Sequence, residues 1–240
     1  QMMKEEKVFH VVLTGGEPFM NFDVLVYALE KFSAAEISTS VNSNLMLATP
    51  EKVLKLRNTG LDHVLTSLNS YIPEVNDYMF NRKGSFEKII AGIKMSREAG
   101  IRISVNMIIS EMNKDHVYET ARFCSELGVQ RIFGTRLVPS VTVENPAETD
   151  FKLDKDSALK VINDLIRAKN DFGIGIGTLI NYPLCLLDDL EKNRDFVGRG
   201  CPAQRGNRMI VNANGETHAC THEETSYGNI FDVGIKKAFE

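Results

Sequence analysis

The sequence predicts an α/β fold: a partial parallel (β/α) barrel with a small, irregular, cysteine-containing β-hairpin extension. Three observations predict it. Short apolar runs alternate with segments whose apolar residues recur at helical spacing. Glycines punctuate the helical segments, at Gly60, Gly100 and Gly128. Past about residue 175 the alternation stops, and the chain turns rich in Gly, Asn, Cys and charge. Strands alternating with helices imply βαβ units, and right-handed crossovers close or half-close such a sheet into a barrel-like layer.

Taken in order, Val8–Leu13 reads as a buried parallel strand, and Thr14-Gly15-Gly16-Glu17-Pro18 turns the chain. Phe22, Leu25, Val26, Leu29 and Phe32 mark one helix face. Glu36–Val41 is a second strand. Thr49 before Pro50 is an N-cap with proline at the first helical position, opening a helix that Gly60 closes. His63–Leu68 is a third strand. Ser85 is expected to cap a helix running to about Ala99. Ile101–Ile109 is the fourth strand, a helix from Asn113 or Asp115 runs to Leu127, and Gln130–Val138 is the fifth strand. Asp154–Asp171 is a long helix. Arg208–Val211 and Glu216–Ala219 flank Asn212-Ala213-Asn214-Gly215, a hairpin signal. The expected domains are 1–175, the barrel, and 176–240, the extension.

Composition narrows the function classes. The 240 residues are 43% hydrophobic, enough for a substantial core. Lys+Arg is 28 against Asp+Glu 32, so no bulk positive charge points to nucleic acid. No apolar run reaches the ~18–20 residues of a membrane span, and no signal peptide opens the chain. The expectation is a cytoplasmic protein without nucleic-acid or membrane partners, and its start at Gln1 and stop at Glu240 read as a piece of something longer.

Polar residues recur where strands end, which is where α/β folds bind ligands. Gly15 and Gly16 free the backbone for a ligand, while Glu17 either accepts an ammonium group or caps the next helix. Asn42 and Asn44 follow the second strand. Ser67 and Asn69 end the third on one face. Asn106 lies in the fourth, and Arg136 ends the fifth. Cys124, beside Phe123 and Leu127, reads as core. Cys185, Cys201 and Cys220 lie in the tail. They suit an iron–sulfur cluster, a zinc site completed by His218 or His222, or no metal at all.

The series LTGGEP, SVNSN, TSLNS, VNMIISEMN and RLVPS resembles the radical S-adenosylmethionine (radical SAM) superfamily. The tail resembles the opening of its SPASM/twitch extension: 13 residues separate Cys201 from Gly215, four separate Gly215 from Cys220, and Gly228-Asn229-Ile230 follows. The resemblance implies that Gly15, Gly16, Glu17 and Pro18 hold the SAM methionine. It implies further SAM contacts from Asn42, Ser67, Asn69, Asn106 and Arg136, and auxiliary [4Fe–4S] ligation by Cys185, Cys201 and Cys220. The implied activity is reductive cleavage of SAM to a 5′-deoxyadenosyl radical that modifies a peptide or protein, with flavodoxin or ferredoxin as reductant.

Two departures qualify it. Asn42-Ser43 stands where the family has Asn-Gly. No Cys-x3-Cys-x2-Cys, the motif that holds the SAM-reducing cluster, occurs in the sequence, so the chain alone is expected to be inactive, with its first βα unit and the remaining SPASM cysteines lying beyond its ends. The alternatives are a cluster-less SAM- or peptide-binding module and a zinc-stabilised non-enzymatic α/β protein.

Overall fold

The computed structural model describes residues 2–137, 153–187, 189–197, 201, 203, 205–221 and 223–239. After a short helix α1 (Met2–Glu5), six strands form one sheet in sequence order: β1 (His10–Leu13), β2 (Ser38–Asn42), β3 (His63–Ser67), β4 (Arg102–Ile109), β5 (Arg131–Arg136) and β6 (Gly175–Gly177). Every neighbouring pair is parallel. Between them run α2 (Phe22–Ala34), α3 (Pro50–Asn58), α4 (Pro73–Met79), α5 (Ser85–Glu98), α6 (Val117–Glu126) and α7 (Lys155–Phe172). Strand order equal to chain order is what successive βα units produce when each crossover has the same hand.

The two faces of the sheet differ in chemistry. Val41, Val64, Ile103, Val105, Met107, Ile109 and Ile132 share one face and are buried under the helices. Gly134 belongs to that face, and a Cβ there would come within 2.4 Å of Leu165 Cδ1, so α7 lies directly on β5. The opposite, inner face carries many polar side chains, with Val12, Leu65, Ile108 and Phe133 among them. Following the register from strand to strand places His10, Ser38, Ser40, Asn42, His63, Ser67, Ser104, Asn106 and Thr135 on it. Side chains alternate across a strand, so the apolar positions bury one face and leave a hydrogen-bonding interior on the other.

Several expectations are corrected at the ends of elements. Ser85 is the first residue of α5, and the N-cap position is Gly84, with φ +76°. Capping comes instead from α4: the Asp77 carboxylate accepts from the Phe86 N–H at 2.8 Å, the Ser85 hydroxyl at 2.8 Å and the Gly84 N–H. The helix expected from Asn113 or Asp115 begins as a 3-10 turn, Lys114–His116, before α6. The sheet continues through β6 to Gly177, and Tyr182, Leu187 and Phe196 join the same core. The hairpin is confirmed as β7 (Ile210–Val211) and β8 (Thr217–His218), joined through Gly215 at φ +89°. A final helix α8 (Ile230–Phe239) is interrupted at Gly234. Val138 lies outside the described residues. No described helix is long and apolar enough to cross a membrane.

Candidate functional site

The loop after β1 is built to stay open. Gly15 sits at φ +149°, and a Cβ added to Gly15 or to Gly16 would meet nothing within 4 Å. Two exposed glycines over empty space leave the backbone accessible to a ligand at the C-terminal end of a parallel strand. Pro18 follows as the first residue of a 3-10 turn, Pro18–Asn21.

Glu17 fixes that loop. Its Oε1 accepts from the Phe19 N–H at 3.1 Å and from the Ser43 hydroxyl at 2.6 Å. Its Oε2 accepts from the Asn44 N–H at 2.9 Å. A carboxylate has about four acceptor positions, and three are used within the protein. Glu17 thus caps the turn that follows it, with a tie to the β2 loop added. Ser43, the residue that replaces the glycine of the family pattern, supplies the shortest of these bonds, and its Oγ also accepts from the Leu45 N–H at 3.0 Å. Sequence reasoning named Asn44 as a strand-end polar residue and Ser43 as a departure from the family pattern, and it missed that both hold Glu17. Their only signal was a polar pair directly after the neighbouring strand.

The next loops are held by amides. Asn69 is buried, and its Oδ1 accepts from the Ile108 N–H at 3.0 Å. Its own N–H donates to Asn76 Oδ1 at 3.0 Å, and its carbonyl accepts from Asn113 Nδ2 at 2.6 Å. Asn69 thus stitches the β3 loop to β4. Ser67 is paired in register with Asn106 on the inner face. Asn106 Oδ1 accepts from the Thr135 hydroxyl at 2.6 Å, and Thr135 Oγ1 accepts from the Leu179 N–H at 3.3 Å. Asn42 shares the inner-face register with Ser67 and Asn106. Arg136 does not: it is paired with Ile109, on the register of the helix-covered face, and its Nε donates to the Asn181 carbonyl at 3.4 Å. It lines a separate cleft with Asp154, Lys155 and Tyr182.

The cysteines do not converge. Cys124 is fully buried in α6, and burial pushes its thiol up to about 12. Cys185 is exposed in a 3-10 turn (Leu184–Leu186), and Cys220, past β8, receives the Arg208 guanidinium at 3.8 Å. Among the described residues no three His, Cys, Asp or Glu side chains are placed to share a metal ion, so this arrangement does not gather Cys185, Cys201 and Cys220. His218 Nδ1 is hydrogen-bonded to the Thr225 carbonyl at 2.9 Å, and His222 lies outside the described residues.

The profile of the radical SAM superfamily matches residues 1–124, the half of the chain that holds the glycine loop and β1–β4. The chain belongs to the radical SAM superfamily. Among curated relatives, it is 31% identical over 130 residues to an AdoMet-dependent heme synthase of Methanosarcina barkeri, covering 54% of this chain and 37% of that protein. It is 25% identical over 239 residues to a GTP 3′,8-cyclase of Aquifex aeolicus, covering 90% and 67%. It is 28% identical over 125 residues to a PqqA peptide cyclase of Ruegeria pomeroyi, covering 52% and 33%. Among solved structures, Streptococcus suis SuiB bound to S-adenosylmethionine superposes with a TM-score of 0.74 at 20% identity, over 96% of this chain and 54% of that one. SuiB bound to its precursor peptide SuiA gives 0.70 at 18%, over 97% and 55%. These likenesses show the fold. The chain spans about a third to two thirds of the length of these relatives.

This radical SAM chain offers residues that fit SAM: an open glycine backbone, a locked carboxylate beneath it, and hydroxyl and amide groups on the adjoining strand ends. The donor set does not fit the SAM-reducing [4Fe–4S] cluster, because one cysteine is sealed in the core and the others lie in the tail.

Proposed function

We propose that this chain binds SAM at the C-terminal ends of β1–β4 and forms part of a radical SAM enzyme that modifies a peptide. The single observation that carries the SAM site is the Gly15–Gly16 backbone, open to 4 Å and held by Glu17 through Ser43 and Asn44. The peptide assignment is supported by two likenesses, to the PqqA peptide cyclase and to the peptide-bound SuiB fold. In this family a [4Fe–4S] cluster, fed by a reductant such as flavodoxin or ferredoxin, would supply the electron that cleaves SAM, and the cysteines of this chain do not provide its ligands. The residues of this chain bind and orient SAM and present the polar inner face to the substrate.

The tail from residue 176 is proposed as the start of a SPASM-type domain, on the Cys201–Gly215–Cys220 spacing and the hairpin between them. Gathering its thiols onto a cluster would then be coupled to folding of that segment. The thiols suit a reducing compartment, and we place the protein in the cytoplasm. The second reading, a SAM-binding module without a cluster, is favoured by the scattered cysteines. Calorimetric titration of the chain with SAM tests both, with saturable one-to-one binding expected and no heat at millimolar SAM overturning them. Reconstitution of the full-length gene product with iron and sulfide separates them: dithionite-dependent 5′-deoxyadenosine supports the enzyme, and its absence from fully loaded protein that binds SAM supports the module.

A further inference from the structure

The SAM site occupies the C-terminal ends of the strands. The N-terminal half of the same inner face holds a second constellation that SAM binding does not use. His10 on β1 has both ring nitrogens hydrogen-bonded to serine hydroxyls of β2, Nδ1 to Ser38 at 3.1 Å and Nε2 to Ser40 at 3.0 Å. His63 on β3 pairs in register with Ser40, and its Nε2 is 2.9 Å from Ser104 Oγ on β4. Arg102 is the direct register partner of His63, and Arg131 on β5 that of Ser104. The imidazoles and guanidiniums of four strands are thus collected on one face, oriented by three serines.

Their charge is largely uncompensated. Asp62 is the carboxylate beside them, and it is shared between Arg57 and Arg102, each at 3.8 Å. Arg131 makes no ion pair among the described residues. Its guanidinium lies over the Phe133 ring, 5.8 Å from the centroid, against the bare backbone of Gly175. Burial holds the His63 imidazole below its ordinary value, and Arg102, His10 and Arg131 add to the depression against the opposing pull of Asp62. The burial disfavours charge of either sign, but the cations around His63 favour an anion beside it.

We infer that His10, His63, Arg102 and Arg131 form a carboxylate-binding subsite for an acidic residue of the peptide substrate. The guanidiniums supply charge-assisted donors, His63 adds a ring nitrogen beside the one held by Ser104, and His10, with both nitrogens taken by Ser38 and Ser40, fixes the β2 serines in place. From His63 to Ser67 the strand rises by ~13 Å at ~3.3 Å per residue. A peptide anchored here and running up the inner face in extended form therefore presents a residue about four positions away to SAM. The inference rests on the proposed peptide substrate, and the SAM site stands independently of it.

The test follows the His63 ring protons by NMR across pH in the 240-residue chain. The probes are a blocked heptapeptide containing glutamate, its glutamine counterpart, and inorganic phosphate. With the glutamate peptide the His63 titration midpoint is expected to move up by about half a pH unit or more, because a nearby anion stabilises imidazolium. The glutamine peptide is expected to leave it unmoved. Arg131→Gln should weaken the glutamate-peptide effect about tenfold in midpoint concentration, while Arg131→Lys retains most of it. Equal shifts with both peptides, no shift with either, or an effect with phosphate alone overturns the inference, as does full retention in Arg131→Gln. Calorimetry with SAM on the same samples separates the two claims: SAM binding without the glutamate effect fails this subsite alone, and the glutamate effect without SAM binding fails the SAM site alone.

Discussion

In the proposed SAM site Glu17 acts on the form of the glycine loop. Its carboxylate is occupied by Phe19, Ser43 and Asn44, so what it contributes is the shape of the glycine loop. Replacing it by alanine leaves two N–H groups and a buried hydroxyl without their acceptor, at ~1–3 kcal/mol for such groups. The Glu17→Ala protein is expected to unfold at lower urea and to bind SAM about tenfold more weakly by calorimetry, the affinity change being ~1.4 kcal/mol. Unchanged SAM affinity would show that the loop holds its form without the carboxylate. Thr66 is the opposite case. It points to the helix-covered face of β3, is 1% exposed, and its Oγ1 has no hydrogen-bond partner among the described residues. Thr66→Val removes a buried orphan hydroxyl at nearly constant volume. It is expected to be neutral or to raise stability by up to ~1 kcal/mol in urea titrations, where most buried substitutions lower it.

At the scale of elements, α5 links packing to the site. A Cβ on Gly92 would come within 2.6 Å of Leu45 Cβ and 2.7 Å of the Leu45 carbonyl oxygen. Leu45 is next to Asn44 and holds φ +58°, so α5 braces the β2 loop that in turn holds Glu17. Gly92→Ala improves intrinsic helix propensity by ~1 kcal/mol, yet overpacking costs ~1–3 kcal/mol. The variant should be less stable and should bind SAM more weakly, and a gain in stability would show that the loop yields freely. The start of α5 carries a pH dependence. The Phe86 N–H, with Ser85 and Gly84 adding to it, holds the Asp77 carboxyl below the usual carboxylate range. A carboxyl lowered in the folded state contributes stability that is complete above its unfolded value, near 4, and is lost as pH falls through the folded value. Asp77→Asn should therefore lower the urea midpoint at pH 7 and should converge with the parent protein in acid. The elements that sequence reading missed share a cause. β6 is Gly-Ile-Gly, with one side chain to make a pattern, α4 is seven residues opened by a proline, and α8 is broken at Gly234. Long amphipathic helices and the apolar runs of β1–β5 were legible because periodicity needs length, and the two-residue strands β7 and β8 were legible through the Asn-Gly turn between them.

For the molecule as a whole, what was legible was the order of the units, and what was not was the partnership across them. That Gly15, Gly16, Ser67, Asn69 and Asn106 recur at one end of a parallel sheet follows from strand order. That Ser43 reaches Glu17, or that Arg136 falls on the other register from Asn106, depends on how the strands pair, and a slip of one residue would reverse it. The same long-range closure makes Cys124 a reporter for the site. It is completely buried in α6, in the core shared by helices and sheet, and its thiol is pushed up to about 12 by burial. Its alkylation at neutral pH therefore requires the fold to open, whereas Cys185, exposed on a turn, reacts directly. SAM bound at the proposed site, across the ends of several strands, would stabilise the closed sheet over the open one by RT ln(1 + [SAM]/Kd). At a SAM concentration of about 100 times Kd, the rate of Cys124 labelling should fall about a hundredfold if opening is global and faster than labelling, while Cys185 labelling stays constant. Mass spectrometry of labelled peptides reads both thiols in one experiment. Constant Cys124 labelling with SAM bound would mean that α6 opens independently of the strand ends, and that the two halves of this fold are thermodynamically separate.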